Sequence, residues 1–509
     1  MSQAASPGLE TVREQAVPAR LRFRRAAVAL LAGAAAAGLS ACAPDLGPAP
    51  KVKPIGTYQT QQSLPPSGNA AFPPARWWEA YGDPELSALI EEALKNNPDI
   101  AEAYARVRLA SAQAEQAGAA NQPQLNASGS VKETKIELAP GILPPNVQLP
   151  PSLKDWNATT QLGASASYAF DFFGANRNRI RAALGQARAA EVEAQEGALQ
   201  ISAAVASAYA NLVRLYADLD DAQATLKLRQ QTLDLVGQRL RNGLETRGEF
   251  AQQRGTVPQA QQEIEQINAQ ILVTRHQLGA LLGQGPDRGL SIPRPAAPRL
   301  RAFGVPANLP AELLGRRPDI VAARLTAEAA ARQVKAARAD FYPNINLAAS
   351  YTDLSIKPED IFRKNIQLTQ IGPTISLPIF SGGRLQGAYR GARANYDVAV
   401  AAYDRAVTNA LQEIADTVSN QRALQAQLAN ARDALAAAEE AYKVATLRYQ
   451  GGLSPYLNVL TAENTVVAQR RVVADLSSQA FILDVTLARQ LGGGFVDPTA
   501  VATTTADLR

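Results

Sequence analysis

The chain has 509 residues, a formal net charge of +5, 6% aromatic side chains, one cysteine and one histidine, with a mean hydropathy of −0.15. One Cys and one His cannot build a Cys/His metal cluster. A Ser-His-Asp triad would need His276, which sits in Thr274-Arg275-His276-Gln277-Leu278 on the polar face of a helical stretch. P-loop and dinucleotide-binding glycine fingerprints are absent from the sequence, so neither catalytic residues nor a cofactor is expected.

The first segment, 1–41, carries the charge imbalance. Five arginines against Glu10 and Glu14 put +3 of the net +5 there and leave +2 for the remainder. So weak a charge leaves no electrostatic footprint for nucleic acid. Arg20, Arg22, Arg24 and Arg25 precede a short apolar run, Ala26 to Gly38, and then Leu39-Ser40-Ala41-Cys42. This is the pattern of a lipoprotein signal peptide over 1–41, with Cys42 as the lipidated residue that meets outer-membrane lipid. Ala43 occupies a position where aspartate would retain the chain at an inner membrane. Beyond the signal, no apolar run approaches the roughly 18 residues of a spanning helix, so any crossing must use strands.

Residues 42–96 form an N-terminal segment, and the chain then repeats itself. Asn97-Pro98-Asp99-Ile100 opens an Ala-rich helical run that stops at Pro123; Arg317-Pro318-Asp319-Ile320 opens another that stops at Pro343. Proline suits a helix start and blocks its continuation. Each stop is followed by period-two alternation: Leu125, Ala127, Gly129 and Val131 in one half, Ile345, Leu347, Ala349 and Tyr351 in the other. Strands are expected over about 123–134 and 156–172, then about 343–354 and 365–380. The segment from Thr134 to Asp155 is Pro-rich and is expected as an exposed hairpin loop.

Long proline-free helical stretches come next, about 175–241 and 383–450, each on the order of 100 Å at 1.5 Å per residue. They break at Arg241-Asn242-Gly243-Leu244 and Gln450-Gly451-Gly452-Leu453, and helices return over about 246–282 and 455–491. The expected repeats are thus 97–282 and 317–491, joined by a linker 283–316 and followed by a tail 492–509. Each reads helix, β-hairpin, long helix, long helix: an α+β membrane protein of two tandem repeats. Helices this long and rich in alanine suggest coiled-coil packing.

Four strands cannot close a barrel, and in lipid the open edges would each leave backbone groups unpaired at several kcal/mol apiece. Oligomerisation is the expected answer, three copies giving a 12-stranded barrel continued by an α-helical barrel. A soluble sandwich is the other reading of the alternation.

The chain resembles the TolC-like outer-membrane efflux factors, and within them the OprM-like lipoprotein branch. The resemblance rests on Trp77-Trp78 with Tyr81-Gly82-Asp83-Pro84-Glu85-Leu86, on Asn96-Asn97-Pro98-Asp99-Ile100, on Leu281-Leu282-Gly283, on Arg316-Arg317-Pro318-Asp319-Ile320, on Phe341-Tyr342-Pro343 and on Pro378-Ile379-Phe380-Ser381-Gly382-Gly383. It implies a homotrimeric exit duct in the cell outer membrane, without enzymatic activity. Its partners would be a periplasmic membrane-fusion adaptor and an inner-membrane transporter, most often of the resistance-nodulation-division class. It also implies a periplasmic gate after the second break, at Leu457, Asn458 and Thr461, with Glu245, Arg247 and Glu249 at the equivalent place in the first half. Relatives often carry Asp where Asn458 and Thr461 stand here, which weakens an acidic ring. Gly243, Leu244, Gly452, Leu453 and Ser454 would form the adaptor-docking tip. A duct for type I protein secretion and a structural envelope lipoprotein are the competing readings.

Overall fold

The computed structural model describes residues 43–64, 70–135, 156–296, 303–306, 309–355, 358–363 and 366–497. The signal segment, Cys42, most of the Thr134–Asp155 loop and the end of the tail lie outside the described residues. Two compact units share the chain: one holds residues up to Ala49, Ala119–Arg179 and Gln333–Ala394; the other holds Pro50–Gly118, Ile180–Arg332 and Asn395–Arg509.

The second unit is helical. A short 3-10 turn, Trp77–Tyr81, ends at Gly82 with φ of 66°. Asp83 then caps α1 (Pro84–Asn96), accepting the N–H of Glu85 at 2.9 Å and of Leu86 at 3.1 Å. Its second oxygen accepts the Tyr209 hydroxyl at 2.7 Å, so the cap also ties α1 to the first long helix. Leu86, Leu89, Ile90 and Ala93, at helical spacing, are buried with Trp77, Trp78 and Tyr81. These residues carry much of the family resemblance, and they are core. Asn97 donates to the Leu281 carbonyl at 2.9 Å and accepts from Asp99 N at 2.8 Å, which starts α2 (Pro98–Gly118) against the end of a return helix.

The duplication is quantitative. The long helices α3 (Ala175–Arg241) and α8 (Arg384–Gln450) each have 67 residues. The return helices α4 (Arg247–Leu281) and α9 (Tyr456–Gln490) each have 35. Between the repeats lie α5 (Pro286–Leu290) and α6 (Leu309–Arg316), and α7 (Pro318–Ala339) opens the second repeat as the counterpart of α2. Among the described residues no helix is long and apolar enough to cross a membrane.

The first unit carries one antiparallel sheet of order β1-β2-β3-β4, with β1 (Gln124–Thr134), β2 (Asn157–Phe170), β3 (Asn344–Ser355) and β4 (Ile366–Ser376). Directly opposed residues point to the same face. The register aligns Leu125 with Ala166, Ala166 with Ala349 and Ala349 with Ile371; four residues along, on the same face, Phe170, Ile345 and Ile375 align. The apolar parities of all four strands therefore coincide on one face. Asn126, Ser165, Ser350 and Gln370 align on the other, with Ser128, Thr352 and Thr374 of the same parity. No second sheet covers either face among the described residues, so the sandwich reading fails for them.

Two strands stop short of expectation. β2 ends at Phe170 rather than near 172, because Asp171 turns away to cap α3, accepting Asn176 N at 3.1 Å and Arg177 N at 2.7 Å. β4 ends at Ser376 rather than near 380, two residues before Pro378, which has no N–H for a ladder.

Candidate functional site

The paired helix breaks in the helical unit form the candidate site. At the first, Gly243 N bonds Leu240 O at 3.1 Å and Leu244 N bonds Arg239 O at 2.8 Å. At the second, Gly452 N bonds Tyr449 O at 2.9 Å and Leu453 N bonds Arg448 O at 2.8 Å. Both are Schellman caps, and both need the left-handed glycine they have, φ of 69° at Gly243 and 73° at Gly452. In such a cap the residue after the glycine commonly packs back on the helix. Here Leu244 and Leu453 instead face outward, 63% and 74% exposed. Ser454 is half-buried. The two turns thus present matched leucines on matched backbones.

Thr246 then starts α4 with a reciprocal capping box. Its hydroxyl accepts Glu249 N at 3.2 Å, and the Glu249 carboxylate accepts Thr246 N at 3.0 Å. That backbone bond, helped by the Thr246 hydroxyl, holds the Glu249 carboxyl below its ordinary value. Arg247 is exposed beside it. On α9, Tyr456, Val459 and Leu460 are buried while Leu457, Asn458 and Thr461 share the exposed face. That division is the helical period of a surface helix. The Thr461 hydroxyl donates to the Leu457 carbonyl at 2.8 Å.

Glu245 behaves differently from the other expected gate residues. Its carboxylate accepts Arg239 Nε at 3.0 Å and the Tyr449 hydroxyl at 2.8 Å, and its side chain is 6% exposed. Arg239 also lies over the Tyr449 ring, 4.7 Å from its centre. Glu245 thus ties the first break to the end of α8, in the other repeat. Below it Val236 of α3 packs with Tyr449, Tyr456, Val459 and Leu460.

A second tie, deeper in the helices, was not expected from the sequence. Arg229 of α3 donates to Glu463 at 3.1 Å, to Asn464 at 3.1 Å and to the Thr256 carbonyl at 3.1 Å, joining α3, α4 and α9. Burial raises the Glu463 carboxyl, and Arg229 opposes that shift. One Arg among eight in a 67-residue helix carries no sequence signal that it turns inward. Among the described residues no group of three His, Cys, Asp or Glu is placed to hold a metal.

The model of a family described as "Outer membrane efflux protein" matches residues 89–284 and 309–493. The fusaric acid resistance protein FusA of Burkholderia cepacia is 37% identical over 332 residues, 64% of this chain and 61% of that protein, so the match spans less than two thirds of FusA. The multidrug resistance outer membrane protein MdtP of Escherichia coli strain K12 is 30% identical over 436 residues, 84% of this chain and 88% of MdtP. The crystal structure of the outer membrane protein VceC from Vibrio cholerae superposes with a TM-score of 0.76 at 40% identity, covering 83% of this chain and 100% of that one. With its two duplicated halves both inside the matched residues, the chain belongs to the outer membrane efflux protein family.

Proposed function

We propose that three copies of this chain assemble into the passive exit duct of a tripartite efflux pump. The carrying observation is the sheet: one face mainly apolar in register across four strands, the other mainly Ser, Thr, Asn and Gln apart from Leu354, Ile366 and Leu368 toward one end, and two edges open. An exposed apolar face of this size belongs against lipid or a partner. Closing the edges in lipid requires β4 of one copy to meet β1 of the next. The polar face then lines a water-filled lumen.

The duct would be loaded by a periplasmic adaptor seated on Gly243, Leu244, Gly452, Leu453 and Ser454, and by an inner-membrane transporter, of resistance-nodulation-division type in this reading. FusA and MdtP are named for resistance to fusaric acid and to multiple drugs, and small organic molecules are the cargo proposed here. Acylated Cys42 would assist targeting and assembly more than retention. Leu457, with Asn458 and Thr461, forms the constriction at the tip, flanked by Arg247 and Glu249. Glu245 contributes as a tie between the repeats.

Conductance of the purified protein in planar bilayers tests this. Discrete trimeric channels are expected, and Leu457→Ala is expected to raise the leak conductance several-fold, since an apolar ring blocks ions by dewetting. Absence of channels would refute the duct; an unchanged leak would remove Leu457 from the gate.

A further inference from the structure

The helix N-termini that meet the sheet carry charges the helices themselves disfavour. Helix N-termini attract acidic side chains, yet the first turns of α3 and α8 contain none. Arg177, Arg179 and Arg384 stand within the first five residues of these helices instead, with Arg390 in the second turn of α8, all exposed, and Arg338, exposed in the last turn of α7, adds a cation where the helix dipole favours one. The nearby acids are already engaged. Asp340 accepts Arg179, and Asp171 caps α3. Arg177 and Arg384 make no ion pair among the described residues.

Exposed rings stand beside these arginines. Phe172 and Phe173 precede Arg177, and Ile379 and Phe380 precede Arg384, with Phe172 66%, Ile379 89% and Phe380 91% exposed. A cavity of about 500 Å³ brings the two chemistries together: Phe170, Phe172, Phe173 and Tyr342 line it with Arg179 and Arg384. Phe170 stacks on Phe172, with ring centres 5.8 Å apart, and belongs to the apolar face of the sheet. The cavity is therefore continuous with the face assigned to lipid. Aromatic rings favour the membrane-water interface, and arginines just beyond them meet lipid phosphates.

We propose that this junction binds an anionic glycerophospholipid, its phosphate held by Arg384 in the cavity lining, with Arg177, next in the chain to the cavity-lining Asn176, adding positive charge, and its acyl chains lying along Phe170, Phe172 and the apolar face. The proposal rests on the barrel reading. It adds a headgroup preference, which an apolar belt alone does not supply.

The test reconstitutes the full-length protein in nanodiscs of equal phosphatidylcholine and phosphatidylglycerol, transfers it to detergent and counts retained lipids by native mass spectrometry. The wild type should retain phosphatidylglycerol over phosphatidylcholine by about ten-fold, and Arg177→Gln/Arg384→Gln should bring the ratio close to parity. Arg177→Lys/Arg384→Lys should keep most of the preference. Equal retention by the wild type, an unchanged ratio in the Gln variant, or displacement by inorganic phosphate would overturn the proposal. A rise in phosphatidylglycerol retention in a Cys42→Ser chain with a replacement secretory signal would also overturn it, since the occupant in the wild type would then be the protein's own acyl group. Conductance of the same preparation reports the barrel separately, so failure of the duct and failure of the lipid site read out differently.

Discussion

Asp484 shows how far one buried side chain departs from its ordinary chemistry. It is 2% exposed on α9, accepts the Tyr81 hydroxyl at 3.0 Å and Phe303 N at 2.7 Å, and so ties the N-terminal segment and the linker to repeat 2. Burial pushes its carboxyl up to about 6, and those two hydrogen bonds offset only part of the rise. In the unfolded chain the group titrates near 3.9. Between about 4 and 6 the folded chain thus binds a proton that the unfolded chain has lost, and stability from this group falls as pH rises through that window. The size is on the order of 2–3 kcal/mol. Asp484→Asn should flatten the pH dependence of the melting temperature over this range; a slope equal to that of the wild type would contradict the assignment.

Elements of this protein are set by their ends. The two Schellman caps use glycine where any side chain would be strained at φ near +70°, at about 1 kcal/mol per position. The exposed leucines that follow contribute little to folding. The cap and the proposed docking surface are therefore separable. Gly452→Ala should lower the melting temperature by about 1 °C. Leu244→Ser/Leu453→Ser should leave it unchanged while weakening capture by the adaptor at least several-fold, as pull-down with the partner would measure. If the leucine pair destabilises the fold and the glycine does not, the roles assigned to these turns are reversed.

For the whole molecule the open sheet edges decide the assembly. A slip of one residue would carry every apolar side chain of a strand to the lumen, so β4 should meet the neighbouring β1 only in matching parity. In a Cys42→Ser background with a replacement secretory signal, one cysteine at Ser128 and a second scanned along β4 tests this. Disulfide-linked trimers should form with Leu368, Gln370 or Gly372 replaced, and not with Thr369 or Ile371 replaced. Cross-linking without regard to parity would rule out the closed barrel. The same chains test the anchor, because membrane association should survive without Cys42.

The repeat, the strand parities and both helix breaks were legible in the sequence because each is a local pattern. Proline positions, period-two alternation and glycine after a long helical run each act over a few residues. The ends of β2 and β4 were less legible: Asp171 continues the alternation of its neighbours, and only the helix it caps draws it out of the strand. The candidate site divided in the same way. The glycines and leucines of the tips follow from spacing; Leu457, Asn458 and Thr461 were named by the resemblance, and the structure places them on one exposed face. The inward turn of Glu245 toward Tyr449, and of Arg229 toward Glu463, joins residues more than 200 positions apart. A charge on a long polar helix reads the same in sequence whether water or a buried partner receives it. The partner is chosen by how four helices pack, so the tertiary structure alone decided which charges face solvent and which hold the repeats together.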